Sequence, residues 1–318
     1  MTVPYEKNAA IVVLPAVGDG RLKSAPLRRW LARADLSQAG EPKELLGQIL
    51  SILNLPTPRS GLAALRMWGQ TGDRPTVWIA AADAIYLEPR LDHLRLHAIG
   101  SANMPTNDLR PLFDHLQTSL GDSEKIGFAR VGSCGYLRAA DPISTAAMPS
   151  YVVNGQSPND YLPEGEGASG YRNLISEVEM SLHDHEVNLR RQSEGLQPVN
   201  CLWFWGGGYA PEQHTEPHPP LFANDPLLQG HWLSKTGVVA NWPGNIAACL
   251  DASIAGFVAV TPTRDDPGLL EYCLQELYEA LQSSRLSRLT LLFRDGVQAV
   301  VERQHAWRLW RNASALLD

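Results

Sequence analysis

Apolar positions along the chain fall into short runs separated by stretches with helical spacing. The run AAIVVL at residues 9–14 is six apolar residues closed by Pro15, which predicts a buried strand. A helix is predicted over 25–33, and ELLGQILSIL at 44–53 repeats its leucines and isoleucines at helical intervals until Pro56 and Pro58. Residues 77–80, 84–87 and 91–97 have extended character. Residues 108–120 then return to helical spacing with Asn107 placed to cap them, and 125–137 are extended again. This β-β-α-β block reads as a small α+β unit over 75–140, inserted into a larger domain made of 1–74 and 141–318.

The segment 148–170 is rich in Pro, Gly, Asn and Ser and reads as loop. From Ser169 one continuous helix is predicted to Gly195, with Tyr171, Leu174, Ile175, Val178, Leu182 and Leu189 on its apolar stripe. The run CLWFW at 201–205 is a strand candidate, and Pro-rich loop follows over 211–226. Residues 254–260 predict another buried strand, and 269–281 an amphipathic helix with Pro267 in its first turn near Asp265 or Asp266. Arg294-Asp295-Gly296 joins two further strands as a hairpin. Strands alternating with helices in the first and last thirds predict an α/β core.

Composition narrows the function classes. The 318 residues carry 27 basic and 34 acidic side chains, a net charge of −7, without a basic block to hold nucleic acid. No run approaches the ~20 apolar residues of a membrane span, and the amino terminus shows no signal-peptide pattern, so no membrane association and a cytoplasmic location are expected. Cys134, Cys201, Cys249 and Cys273 form no CxxC pair, which argues against a zinc ribbon or a disulfide framework.

Chemistry concentrates between His183 and Gly208. The triplet Gly206-Gly207-Gly208 follows a strand candidate, as a phosphate cradle requires, but no GKS/T or convincing helix follows it. The other reading is that the glycines let the chain turn closely beneath Trp203 and Trp205. Asn188 and Arg191 lie three residues apart on one helix face and could jointly hold a carboxylate or phosphate, or fix the helix end to the next strand. His183 and His185 are two apart rather than the four of a helical zinc pair, and His214 and His218, though four apart, lie among prolines where no helical register holds; with His231, no metal site is assigned to them. No GxSxG occurs, so no catalytic nucleophile is identified.

Read together, HDHEVNLRRQSEGLQPVNCLWFWGGG resembles a segment of the archaeal-type cofactor-independent phosphoglycerate mutases, members of the alkaline-phosphatase-like superfamily. The matching residues are His185, Val187, Asn188, Arg191, Pro198, Asn200, Trp205, Gly206 and Gly208. The chain is also similar to a bacterial group labelled phosphoglycerate-mutase-like, or regulatory proteins of the RpfE type, through residues 162–165, 176–180, the Trp-Phe-Trp-Gly-Gly-Gly run and the acidic-start stretch Asp83-Ala84-Ile85-Tyr86-Leu87. The resemblance implies an alkaline-phosphatase-like three-layer core. It makes His185, Asn188, Arg191, Asn200, Trp205, Gly206, Gly207 and Gly208 candidates for binding an anion. Active mutases of this superfamily hold two divalent metals, with an Asp after the first strand and a C-terminal Asp/His set. Here Pro15-Ala16 and Arg294-Asp295-Gly296 stand in those places. The expectation is a non-catalytic mutase-like protein without cofactor, binding a small anionic metabolite or a protein partner, or forming a homodimer. The alternative is a phosphatase or phosphomutase acting on a small phosphorylated metabolite.

Overall fold

The computed structural model describes the chain except residues 1–7, 19, 39–43, 101–103, 254–255, 264–265, 267, 312 and 318. The chain divides into two compact units. The first comprises Met1–Pro42, Ile49–Leu55 and Gln213–Asp318, and the second Lys43–Gln48 and Pro56–Glu212.

The first unit is built on a seven-stranded sheet. Its centre is β1 (Ala9–Leu14), flanked in parallel by β10 (Gly256–Val260) and β11 (Arg288–Phe293). Beyond β10 lie β8 (Leu221–Phe222) and β9 (Val239–Ala240), both parallel. Beyond β11 come β12 (Val297–Glu302) and β2 (Asp35–Gln38), each antiparallel to its neighbour. Strands in such a sheet project alternate residues to opposite faces. Ala10, Val12 and Leu14 enter a core with α1 (Ala25–Ala32), α9 (Ile246–Ala252) and α10 (Leu269–Gln282). On the other face Ile11 and Thr290 line a cavity of ≈280 Å³ with Ile52 and Leu53, at the end of α2 (Leu45–Ile52). Local chemistry starts these helices. Ser24 caps α1, Asn245 caps α9, and Asp225 accepts from the amides of Leu227 and Leu228 to begin α8 (Pro226–Ser234), with Pro226 at its first position.

The second unit holds a five-stranded antiparallel sheet. Its spine is the twelve-residue β3 (Trp78–Pro89), where the sequence pattern suggested two short runs. Around it are β4 (Leu94–Ala98), β6 (Cys134–Ala139) and β7 (Cys201–Gly208), and β5 (Ile126–Val131) pairs with β6. Helices α3 (Leu62–Thr71), α4 (Thr106–Ser119) and α6 (Ala168–Leu182) pack on this sheet, with Pro105 rather than Asn107 at the start of α4. Residues 148–170 are not wholly loop, since α5 (Ser150–Val153) and a 3-10 turn (Pro158–Tyr161) lie within them.

The single helix expected to Gly195 is two. After α6 the chain breaks at His183 to His185 and restarts as α7 (Glu186–Ser193), where the His185 ring accepts from the Val187 amide and caps the new helix. The compact units also divide the chain elsewhere than the expected insert at 75–140. The reason is non-local pairing: β7 lies along β3, so the helices and strand from 168 to 208 belong to the antiparallel sheet. Of the start expected near Asp265 or Asp266 with Pro267, Asp265 and Pro267 lie outside the described residues; the Asp266 carboxylate accepts from the Gly268 amide at 3.0 Å, and α10 begins after Gly268.

Candidate functional site

Of the eight candidate binding residues, His185 caps α7, Asn188 and Arg191 lie on it, Asn200 precedes β7, and Trp205 and the three glycines lie within β7. At its start the Asn188 side chain is buried. Its Nδ2 donates to the carbonyls of Leu182 and Val199, both at 2.8 Å, and its Oδ1 accepts from the Val199 amide at 2.8 Å. One amide group thus ties the end of α6 to the entry of β7. Asn200 does the same to β3, accepting from the Leu87 amide at 2.7 Å and donating to the Leu87 carbonyl at 2.9 Å. Arg191 is 2% exposed, with Nε on the Gln197 carbonyl and Nη1 on Asp108 at 2.8 Å, while Arg190 holds the other oxygen of the same carboxylate. Arg191 also lines a cleft of ≈390 Å³ with Ala98, Ile99, Pro105, Leu196 and Gln197. The His185 ring packs edge-on against His115 at 4.9 Å, and burial, with His115 adding to it, lowers its pKa.

The glycines stand at the far end of the strand, about 20 Å from Asn200 at the usual rise per residue. Their amides are engaged: Gly206 donates to the Ala146 carbonyl and Gly207 to the Thr145 hydroxyl at 3.0 Å. Gly206 has φ +63°, and a Cβ there would stand 3.0 Å from that of Leu62. A Cβ on Gly208 would come within 2.4 Å of the Gly61 nitrogen. The triplet therefore serves close approach of β7 to the start of α3, where the Gly61 amide also donates to the Gly207 carbonyl at 3.1 Å. The eight candidates do not converge on one site.

Trp205 leads to a group that the sequence reading missed. Its indole Nε1 donates to Asp83 Oδ2 at 2.6 Å, the Ser150 hydroxyl donates to the same oxygen at 2.8 Å, and Arg66 of α3 meets Asp83 Oδ1 at 2.7 Å. Arg66 reaches further to the Gly135 carbonyl and the Tyr136 hydroxyl, which in turn bonds Gln70. The guanidinium stacks 4.7 Å from the Tyr136 ring centroid and 5.3 Å from that of Trp205. Burial works against this charge, yet the Asp83 carboxylate raises the Arg66 pKa above its ordinary value; burial raises that of Tyr136. The signal was legible as single charges inside apolar runs, Arg66 in LAALRMW and Asp83 in WIAAADAIYL.

In the first unit, ligands of a parallel sheet are expected beyond the carboxyl ends of its strands. Beyond β1 the amides of Val17 and Gly18 donate to Asp295 Oδ2 at 2.7 and 2.8 Å. Further along the same loop the amides of Lys23 and Ser24 donate to Glu271 Oε1 at 2.7 and 2.6 Å. Thr261 bonds the Val13 carbonyl, and Arg294 bonds the Thr261 carbonyl at 2.7 Å. Pro15 and Ala16 offer no ligand atoms from their side chains, and the Asp295 carboxylate is directed at backbone amides. The described residues at this edge do not fit a two-metal centre, and among the described residues no group of three or more His, Cys, Asp or Glu could hold a metal ion. Nor is any helix among them long and apolar enough to cross a membrane.

No protein-family model matches the chain. A 2,3-bisphosphoglycerate-independent phosphoglycerate mutase of Methanosarcina barkeri is 30% identical over 124 residues, 38% of this chain and 31% of the relative. A probable mutase of the same description from Geobacter sulfurreducens is 28% identical over 165 residues, 49% of this chain and 39% of the relative. The chain thus spans well under half the length of these curated relatives. A solved structure from Pyrococcus horikoshii aligns over 93% of this chain and 88% of its own, at 14% identity and a TM-score of 0.50. Over part of its length this chain is distantly homologous to the 2,3-bisphosphoglycerate-independent phosphoglycerate mutases, and its mixed α/β fold is shared with that solved structure.

Proposed function

We propose that this is a degenerate, non-catalytic relative of those mutases, acting in the cytoplasm in a regulatory or binding role. The observation that carries the reading is the carboxylate of Asp295, held 2.7 and 2.8 Å from the Val17 and Gly18 amides beyond the central strand. A carboxylate bound to two backbone donors closes the loop on itself, and its charge is directed away from any cation. The ligand we assign is a small anionic metabolite at the cleft lined by Arg191 and apolar walls; next to it the Arg191 and Arg190 guanidiniums share the one Asp108 carboxylate.

The test is turnover. Purified full-length protein is assayed with 2- and 3-phosphoglycerate and a phosphomonoester panel, each with Mg²⁺, Mn²⁺, Co²⁺ and Zn²⁺. No product above the metal blank is expected. Metal-dependent turnover that survives repurification would replace this reading with a phosphatase or phosphomutase. Thermal shifts with the same phosphoglycerates address the cleft separately, and Arg191→Lys should weaken any shift.

A further inference from the structure

After β12 the chain makes a 3-10 turn (Arg303–Trp307) and runs on to Leu317. This segment is turned inside out. Arg308 points inward, with Nη1 2.5 Å from Asp35 Oδ1 and a second contact to the Arg33 carbonyl. Arg311 donates to the Ala34 carbonyl at 3.1 Å, and Arg33 reaches back to the Ala306 carbonyl at 3.0 Å. The hydrogen bond from Arg308, with the charges of His305 and Arg311, holds the Asp35 carboxyl below its usual pKa. The apolar side chains go outward: Trp307 is 80%, Leu309 63% and Trp310 76% exposed. Both flanks are fixed, since His305 is buried before them and Leu317 enters the core after them.

Two indoles and a leucine at these exposures present on the order of 500 Å² of apolar surface, as much as a monomer commonly leaves in its largest patch. Arg308 and Arg311 are anchored on Asp35 and on backbone carbonyls, while Arg303 and Arg311 keep exposed surface beside the platform. Three side chains are far short of the broad face or second anchor that stable bilayer attachment needs. Rigid tryptophan beside arginine is instead the composition of protein hot spots. Among the described residues around the platform, Arg33, Arg303, Arg308 and Arg311 outnumber the carboxylates Asp35 and Glu302, on a chain whose net charge is −7. We propose that Trp307, Leu309 and Trp310 form a docking knob for another protein, one that offers an apolar pocket rimmed by Asp and Glu.

This surface stands whether or not the chain turns over phosphoesters. The test places a photo-crosslinking amino acid at Leu309 in the full chain, expressed in its native cells, and identifies the attached peptide by mass spectrometry. The expected product is one predominant protein, joined through a segment of apolar residues flanked by acidic ones. Its yield should fall at least tenfold when Trp307→Ala and Trp310→Ala are combined. That double variant should melt within a few degrees of the parent, because both side chains are outside the core. Crosslinks only to lipid or to a second copy of this chain, no crosslink, or a yield indifferent to the tryptophans would each overturn the proposal.

Discussion

Asn188 shows what a buried amide contributes at one position. It satisfies two carbonyls and one amide that would otherwise be stranded between α6 and β7, and each such group costs about 1–3 kcal/mol when left unpaired in the interior. Asn188→Ala should therefore destabilise the protein by roughly 3 kcal/mol, read as a lower urea midpoint at unchanged slope. Asn188→Asp should cost at least as much, because a carboxylate facing the Leu182 and Val199 carbonyls can accept but not donate. Unchanged stability in both variants would remove Asn188 from the structural role assigned here. The residue stood out in the sequence because it matched a motif; that its hydrogen bonds were all local to the backbone was not written there.

At the scale of elements, legibility followed the length and uniformity of each run. The strand β1 coincides with AAIVVL, α10 extends its expected range by a single residue, and the hairpin of β11 and β12 forms around Asp295-Gly296 as the dipeptide implied. The helices α3, α8 and α9 went unread. Gly61 starts α3 without a side-chain cap, and the Asp225-Pro226 start of α8 was hidden at the edge of a proline-rich loop. The assignment of β7 to the antiparallel sheet was beyond any local pattern, because pairing partners some 120 residues apart leave no periodic trace. What couples α3 to β3 and β7 is the Arg66–Asp83 pair, whose side chains are 10% and 16% exposed. Asp83→Asn would leave the guanidinium without its counter-charge and weaken two further bonds from Ser150 and Trp205. A loss of about 3 kcal/mol is expected, moderated by the residual exposure. Thermal melts followed at the tryptophan band would report it, since Trp205 sits on the broken contact; a Tm within a degree of the parent would contradict the argument.

For the whole molecule, the response to acid separates two classes of group. His231 of α8 is buried among Trp232 and His218, with its centroid 5.4 Å from that of His218. Burial lowers its pKa from 6.5 to about 3; His218, Lys235 and His214 push the same way, and Glu216 opposes them weakly. The His218 pKa is lowered too, again chiefly by burial. Folding therefore excludes a proton that the unfolded chain takes up below pH 6.5, so stability is complete above that pH and declines as pH falls through it toward 3. His231 by itself should remove ~2 kcal/mol by pH 5, with a limiting slope of about 1.4 kcal/mol per pH unit. Carboxylates with lowered pKa, such as Asp35, Glu88 and Glu216, act in a later window, losing their contribution only as pH falls below their ordinary values near 4. Urea unfolding between pH 7.5 and 5 thus isolates the imidazoles. In His231→Gln the slope across this range should flatten to what His218 and His185 give, whatever the variant costs in stability at neutral pH. An unchanged slope would show that His231 is protonated as readily in the folded protein as in the unfolded chain.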